Sequence, residues 1–175
     1  MPHSLLKFAS DLAKMEVGLD MFHHEVMEKV CVIVEKEAKR VIGTYDYNWT
    51  PLAEATQADR EAHGFPADEP LLRTGEMRDS IEHNVGTEGL RMEVIGIVGT
   101  NNEVAKWQEL GTSHIPPRSF LGGAAMHKES EIHEFFGASM FAQVTTALGL
   151  GIPHSGAASV ISKVEQEVKT LEHHE

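Results

Sequence analysis

Residues 98–121 decide the fold, and they read Val98-Gly-Thr-Asn-Asn-Glu-Val-Ala-Lys-Trp-Gln-Glu-Leu-Gly-Thr-Ser-His-Ile-Pro-Pro-Arg-Ser-Phe-Leu121. The stretch predicts a strand that ends at Gly99, a short helix from about Asn102 to Leu110 and a glycine stop at Gly111. Three apolar residues of this helix recur at helical spacing, so we expect them to pack onto the preceding strand, with Trp107 as the anchor; they are Val104, Trp107 and Leu110.

The connector after this helix contains two consecutive prolines, Pro116 and Pro117. Prolines donate no backbone hydrogen bond and push the preceding residue out of the helical region, so residues 115–118 must run extended. We expect this connector to be a hinge before the next helix, at or near a subunit boundary. Phe120 is expected in the core of its own domain. For Arg118 we favour an ion pair, within the chain or across the interface, over a solvated side chain.

Upstream of the quoted stretch, the period of the apolar residues is two. Ile81, His83 and Val85 alternate with polar residues, residues 86–89 predict a turn, and residues 91–98 predict the return strand. An isolated hairpin is marginally stable, so extended segments near Leu71 and at residues 115–118 should join it, or a helix should cover it. The long first helix is the obvious cover.

That first helix is predicted from about Ser4 to Ile42, with a near-heptad apolar pattern. At 1.5 Å per residue, ~38 residues span almost 60 Å. Two interpretations remain open: a long core helix, which Gly18 could interrupt, or a helix that packs partly against a neighbouring subunit. Gly43 is expected to end it as a left-handed cap.

Residues 44–73 predict a long loop rich in aromatic residues and prolines. Thr50 and Pro51 are expected to start a short helix within it, which ends near His63 and Gly64. Trp49 and Phe65 could be exposed for contact with another protein, or they could pin the loop to the core. The second interpretation is favoured.

Two further helices are expected near the C-terminus. One is capped by Ser119, becomes regular after Gly123 and continues to about Leu148, and the last runs from Ser155 to about Leu171. The predicted fold class is therefore α+β: a small antiparallel sheet packed by a long N-terminal helix and a C-terminal helix, with a long aromatic and proline-rich loop. The expected organisation is one α+β domain at residues 1–148 and a helical extension at residues 149–175.

Composition and motif searches argue against an enzyme. The chain has 175 residues, eleven histidines and a formal net charge of −12. That charge disfavours a surface that grips phosphates, and neither His23-His24-Glu25 nor His133-Glu134 completes a His-Glu-x-x-His zinc motif. The single cysteine, Cys31, is expected to be a small core residue. No membrane span or leader is expected, and we predict no catalytic residue, no cofactor and no metal.

Two motifs carry a resemblance to a known family. Gly99-Thr-Asn, Trp107-Gln-Glu-Leu-Gly-Thr and Ile115-Pro-Pro-Arg-Ser-Phe-Leu form one, and Trp49-Thr-Pro-Leu followed by Pro70-Leu-Leu-Arg-Thr-Gly-Glu-Met-Arg-Asp-Ser-Ile81 forms the other. Together they resemble the tail-completion proteins of tailed bacteriophages, also called neck, minor tail or virion-morphogenesis proteins. The chain departs from the family pattern at Glu76, where a basic residue is common, and at Gly122-Gly123, where a helix former is usual.

The resemblance implies a structural virion protein, made in the host cytoplasm, that forms a homo-oligomeric ring at the head–tail junction. A hexameric ring would join the head connector or stopper to the tail tube or tail terminator, and would let DNA pass without specific binding. Candidate interface or structural residues are the following: Trp49, Arg73, Thr74, Arg78, Trp107, Pro116, Pro117, Arg118 and Phe120. The alternative function is a DNA- or metal-binding phage accessory enzyme, which a continuous Lys/Arg stripe along the lumen would favour.

Overall fold

The computed structural model describes residues 5–88, 93–147 and 161–166, with side chains described at 22–88, 93–146 and 161–166. The elements are α1 (Leu5–Val41), α2 (Glu54–Ala62), α3 (Glu76–Asp79), β1 (Glu82–Glu88), β2 (Glu93–Gly99), α4 (Glu103–Leu110), α5 (Leu121–His127) and α6 (Glu129–Ala147). Residues 161–166 form a further helical segment, α7. The two strands pair as an antiparallel hairpin, so the predicted α+β class is confirmed.

The chain divides into two compact units. The central unit comprises Cys31–Asn84 and Ile97–Glu129, and the terminal unit comprises Met1–Val30, Val85–Gly96 and Ser130–Glu175. The boundary predicted near residue 148 lies outside the described residues.

The core of the central unit forms where the last turns of α1 meet the base of the hairpin. Ala38 and Val41 of α1 are fully buried, and they belong to one cluster with Ile81 before β1 and with the half-buried Val98 of β2. The expectation that the first helix covers the hairpin is therefore confirmed at this end. Gly43 ends the helix as predicted, at a φ of 92°, and its N–H donates to the carbonyl of Pro70 at 2.8 Å.

The hairpin differs from its prediction in the extent of its first strand. β1 continues to Glu88, so residues 86–88 belong to the strand and not to the turn; residues 89–92 lie outside the described part of the chain. Within that part the sheet has two strands only. Of the two alternatives, cover by a helix is the one observed, and segments near Leu71 and at residues 115–118 do not add strands. Residues 115–118 bond to α4 and its C-terminal loop instead: Arg118 N donates to Gln108 O at 2.7 Å, and Thr112 N to Ile115 O at 2.9 Å.

The segment between α1 and α3 is anchored at Trp49, which is buried in the central core. Its ring meets that of Tyr47 edge to face, with centroids 5.6 Å apart. The prediction that Trp49 pins this segment to the core is confirmed. Helix α2 begins at Glu54 and not at Pro51, and its N-cap residue Ala53 makes no side-chain cap. Thr50 therefore lies before the helix and does not cap it.

Helix α5 begins earlier than predicted and runs through Gly122 and Gly123. It stops at Lys128, where α6 begins one residue later, so the single helix expected from Gly123 to Leu148 is two helices. The glycines serve packing: a Cβ at Gly123 would lie 2.8 Å from the Tyr47 ring. The Tyr47 ring therefore occupies the space that the side chain of any other residue at position 123 would need.

In the terminal unit, α1, α6 and α7 each contribute a buried apolar residue, namely Val26, Phe135 and Val164. Lys29 of α1 bridges Glu25 at 3.0 Å and Glu165 of α7 at 3.4 Å. The helical state of residues 161–166 agrees with the predicted last helix, whose ends lie outside the described residues. α1 passes through Gly18 without a break. In the described part of the chain, no helix has the length and apolarity needed to cross a membrane.

Candidate functional site

The candidate site is built around α4 and the connector that follows it, because both sequence motifs meet there. Asn102 caps α4: its side-chain oxygen accepts from Val104 N at 2.9 Å, as the predicted helix start requires. One face of α4 turns inward with Ala105 buried and with Gln108 and Glu109 half-buried. This inner face is mostly polar, so its contacts are hydrogen bonds.

Glu109 caps the N-terminus of α5 from a distance in sequence. Its carboxylate accepts from the backbone N–H groups of Phe120 at 2.7 Å, Leu121 at 3.0 Å and Gly122 at 2.9 Å. The Ser119 hydroxyl donates to the same carboxylate at 2.6 Å, and its oxygen accepts from Gly123 N at 3.2 Å. The first N–H groups of a helix have no partner within the helix and carry partial positive charge. A carboxylate is therefore the best-suited cap.

The connector between the two helices is fixed by Gly111 and by the prolines. Gly111 has a φ of 74°, and a Cβ there would lie 2.9 Å from Pro117 N and 3.0 Å from Ile115 O. No other residue fits without moving the backbone. Pro116 and Pro117 are exposed and stiffen the loop, while Phe120 is fully buried. The expected core position of Phe120 is confirmed; the position of the connector at a subunit boundary stays a prediction.

Arg118 is buried, with 5% of its surface exposed. Its Nη2 donates to the carbonyl of Thr50 at 2.9 Å, and its Nε donates to no acceptor in the described part of the chain. Burial lowers the pKa of the guanidinium, which nevertheless stays protonated. Within the described residues Arg118 forms no ion pair, and its side chain bonds to the carbonyl of Thr50 instead. An ion pair across an interface stays a prediction. An unmet donor on a buried charged group costs more than about 1–3 kcal/mol.

A second buried arginine lines the same cleft. Arg60 of α2 is 8% exposed, and its Nη1 donates to the carbonyls of Glu69 at 2.6 Å, Leu72 at 2.9 Å and Pro66 at 3.3 Å. Burial lowers the pKa of Arg60, and the positive charges of Arg73 and Arg118 lower it further. We call this the Arg118 cleft. It has a volume of about 400 Å³, and besides the two arginines its lining includes Thr50, Leu52, Gln108 and Ile115.

The outer face of α4 overturns a prediction. Val104 is 45% exposed, Trp107 48% and Leu110 70%, so Trp107 does not anchor the helix to the hairpin. The helix buries the small Ala105 instead, because the hydrogen bonds of the Glu109 carboxylate turn that face inward. The apolar residues are left as a surface stripe, which we call the α4 stripe (Val104, Trp107, Leu110).

A buried carboxylate on α1 holds Tyr47 in the central unit. Glu37 of α1 is 3% exposed, and it accepts from Arg40 Nη2 at 2.8 Å, Arg40 Nε at 2.9 Å and the Tyr47 hydroxyl at 2.9 Å. The bonds from Arg40 outweigh burial and, with that from Tyr47, lower the pKa of Glu37 to about 2. Burial and the bond to Glu37 raise the pKa of Tyr47.

The other sequence candidates have local roles. Arg73 lies over the Phe65 ring, 4.8 Å from its centroid, and its Nη2 is 3.6 Å from Asp59 Oδ2. Thr74 Oγ1 accepts from Glu76 N at 3.4 Å, which supports the start of α3. Arg78 Nε pairs with the adjacent Asp79 at 2.9 Å. The structure does not bring these three residues into the Arg118 cleft.

Sequence reasoning missed Glu109, Arg60, Tyr47 and Glu37. Glu109 lies inside the Trp-Gln-Glu-Leu-Gly-Thr motif, and a glutamate there together with Ser119 was the available signal. For Arg60 no local pattern exists, because its three acceptors are carbonyls of a loop.

Histidine, cysteine and acidic side chains do not form a metal-binding group of three or more within the described residues. Cys31 is buried, as expected. No protein-family model, no curated protein and no solved structure matches this chain. Its function is therefore inferred from its own motifs and geometry.

Proposed function

We propose that this chain is a structural virion protein of a tailed phage or prophage, which self-assembles into a ring at the head–tail junction. The ring, six copies by the family resemblance, joins the head connector or stopper to the tail tube or tail terminator and lets DNA pass. The observation that carries the proposal is the exposed α4 stripe, two residues of which, Trp107 and Leu110, belong to the motif that begins at Gly99. An apolar stripe on the same short helix as a polar inner face is suited to a protein partner.

The hairpin supplies a reason why that partner is another copy. Each strand pairs with one other strand in the described part of the chain, so its outer edge is open to a strand from a neighbour. On β2, Ile95 is 36% and Ile97 62% exposed. Contact between two different surfaces of identical subunits generates a ring when the rotation closes. The stripe and the open strand edge are two such surfaces.

The net charge of −12 is compatible with a lumen for DNA. Acidic side chains along a channel repel phosphates, so a duplex slides through without being held. This assigns the protein a passive role toward DNA and an adhesive role toward its neighbours.

The test is to purify the full chain and measure its mass by light scattering over a hundredfold range of concentration, with electron microscopy of the same fractions. We expect rings, and we expect Trp107→Ser to dissociate them at least tenfold more readily. Lys106→Ser, on the same helix, is the matched control and should leave them intact. A chain that stays monomeric throughout contradicts ring formation.

Placement at the neck requires a separate measurement. Immunogold labelling of virions from a host that expresses the tagged chain should mark the head–tail junction. Label on the capsid or the tail tip would contradict the proposed position.

A further inference from the structure

The Arg118 cleft combines positive charge with an apolar wall and contains no acidic residue. Its lining includes Arg60 and Arg118, while the remaining residues are the following: Thr50, Pro51, Leu52, Ala53, Thr56, Leu71, Gln108, His114, Ile115 and Pro116. In a chain with 27 acidic and 15 basic residues, two buried arginines without a carboxylate in their cleft are unusual. Within the described residues, the hydrogen bonds of both side chains go to backbone carbonyls.

The donors of the two arginines are not equally used. Arg60 Nη1 already has three carbonyl acceptors, so Arg60 contributes structure and positive potential. Arg118 donates from Nη2 to Thr50 O and leaves Nε without an acceptor in the described region. The unmet Nε–H of this charged group is therefore available for a charge-assisted hydrogen bond to a carboxylate.

We propose that the Arg118 cleft binds a carboxylate, which a neighbouring copy supplies in the assembled ring from an Asp or Glu side chain. The source of the carboxylate rests on the self-assembly proposed above, whereas the binding chemistry does not. Leu52, Ile115 and Pro116 keep the cleft apolar, and an ion pair is stronger in such surroundings than in water. The acidic chain offers many carboxylates to its neighbours, and arginine is the residue suited to this pairing across an interface.

The binding chemistry is tested directly on the Arg118 Nε–H resonance in ¹⁵N spectra of the monomeric chain, using Trp107→Ser where the wild type assembles. Propionate, an analogue of the Glu side chain, should shift this resonance saturably. Propionamide, which has the same shape without the charge, should not. When Arg118 is replaced, the backbone amide resonance of Leu52 reports binding instead. Arg118→Gln should weaken the affinity for propionate at least tenfold, and Arg73→Gln should leave that affinity unchanged.

Three outcomes overturn this assignment. If propionate causes no saturable shift of the Nε–H resonance, the cleft is not a carboxylate site. If propionamide causes an equal shift, charge does not determine binding. Tighter saturable binding of inorganic phosphate than of propionate would make the cleft a phosphate site. Because the first measurement needs only the wild-type cleft, a variant that fails to fold does not weaken the test.

A second arm identifies the source of the carboxylate. In sedimentation experiments, Arg118→Gln should raise the dissociation constant of the assembly at least tenfold relative to Lys106→Gln, and Arg118→Lys should restore it only in part. If the chain binds propionate but never assembles, the carboxylate site is supported and the proposed ring is contradicted. If Arg118→Gln assembles as well as the control, the proposal of a ring stands, but the neighbouring copy is not the source of the carboxylate.

Discussion

The two faces of α4 differ in a way that reverses the usual arrangement of a surface helix. The inner face buries Ala105 and places Glu109 on the start of α5, whereas the outer face carries Trp107 and Leu110 in solvent. Hydrophobic burial ordinarily decides which face of a helix turns inward. Here one carboxylate with four donors outweighs three apolar side chains, so the apolar face remains available for a partner.

The inner face should respond most strongly to mutation. Glu109→Ala removes the acceptor of three backbone N–H groups and one hydroxyl, so we expect the free energy of unfolding to fall by about 3 kcal/mol. Urea denaturation measures it. Glu103→Ala, in the exposed first turn of α4, is the control and should cost below about 1 kcal/mol. Similar small losses for both variants would mean that the cap does not orient the helix.

Acid should weaken the hydrogen bonds of Glu37 to Arg40 and Tyr47 and so destabilise the folded chain. The pKa of Glu37 is lowered from 4.5 to about 2 in the folded chain. Its contribution is complete above pH 4.5 and is lost as the pH falls toward 2. Because Arg40 is half-exposed, we expect about 2 kcal/mol from this group, below the full linkage value. The check is to compare urea denaturation at several pH values in this window for wild type and Glu37→Gln. An unchanged acid slope in the variant would exclude Glu37 as its source.

Gly123 and Gly137 are both in helices, but only Gly123 packs against an aromatic ring, so the same substitution should have opposite effects at the two positions. Gly123→Ala places a Cβ against Tyr47, so we expect a loss of about 1–2 kcal/mol. Gly137→Ala, inside α6 with no neighbour within 4 Å, should stabilise the chain by about 0.5–1 kcal/mol. Thermal unfolding of both variants gives the signs, and stabilisation by Gly123→Ala would contradict the tight packing of α5 on Tyr47.

The smallest effect on stability is expected from the outer face. Trp107→Ala in the monomer should cost below about 1 kcal/mol, because half of the ring is already exposed. Chemical denaturation at a concentration without self-association measures this. A loss of about 3–5 kcal/mol, which full burial would produce, would show that Trp107 packs within its own chain.

The elements with local signals were predictable from sequence. Gly43 ends α1 and Asn102 starts α4 because both act through their own backbone neighbourhood, and the period of two along β2 reports its alternating exposure. Periodicity shows that a helix has an apolar face but does not show what covers that face. The predicted burial of Trp107 against the hairpin is therefore wrong. The position of Arg118 depends on Thr50, 68 residues away in sequence, and no local pattern records such a contact.

The Glu109 cap also has a kinetic consequence. It acts as a reversible cross-link between α4 and the start of α5, and Arg118 N bonded to Gln108 O holds the same loop from the other side. The amides of Phe120, Leu121 and Gly122 share one acceptor group, so their protection depends on a single opening event. In hydrogen–deuterium exchange the three amides should share one opening free energy, seen as similar protection factors, and Glu109→Ala should lower all three together.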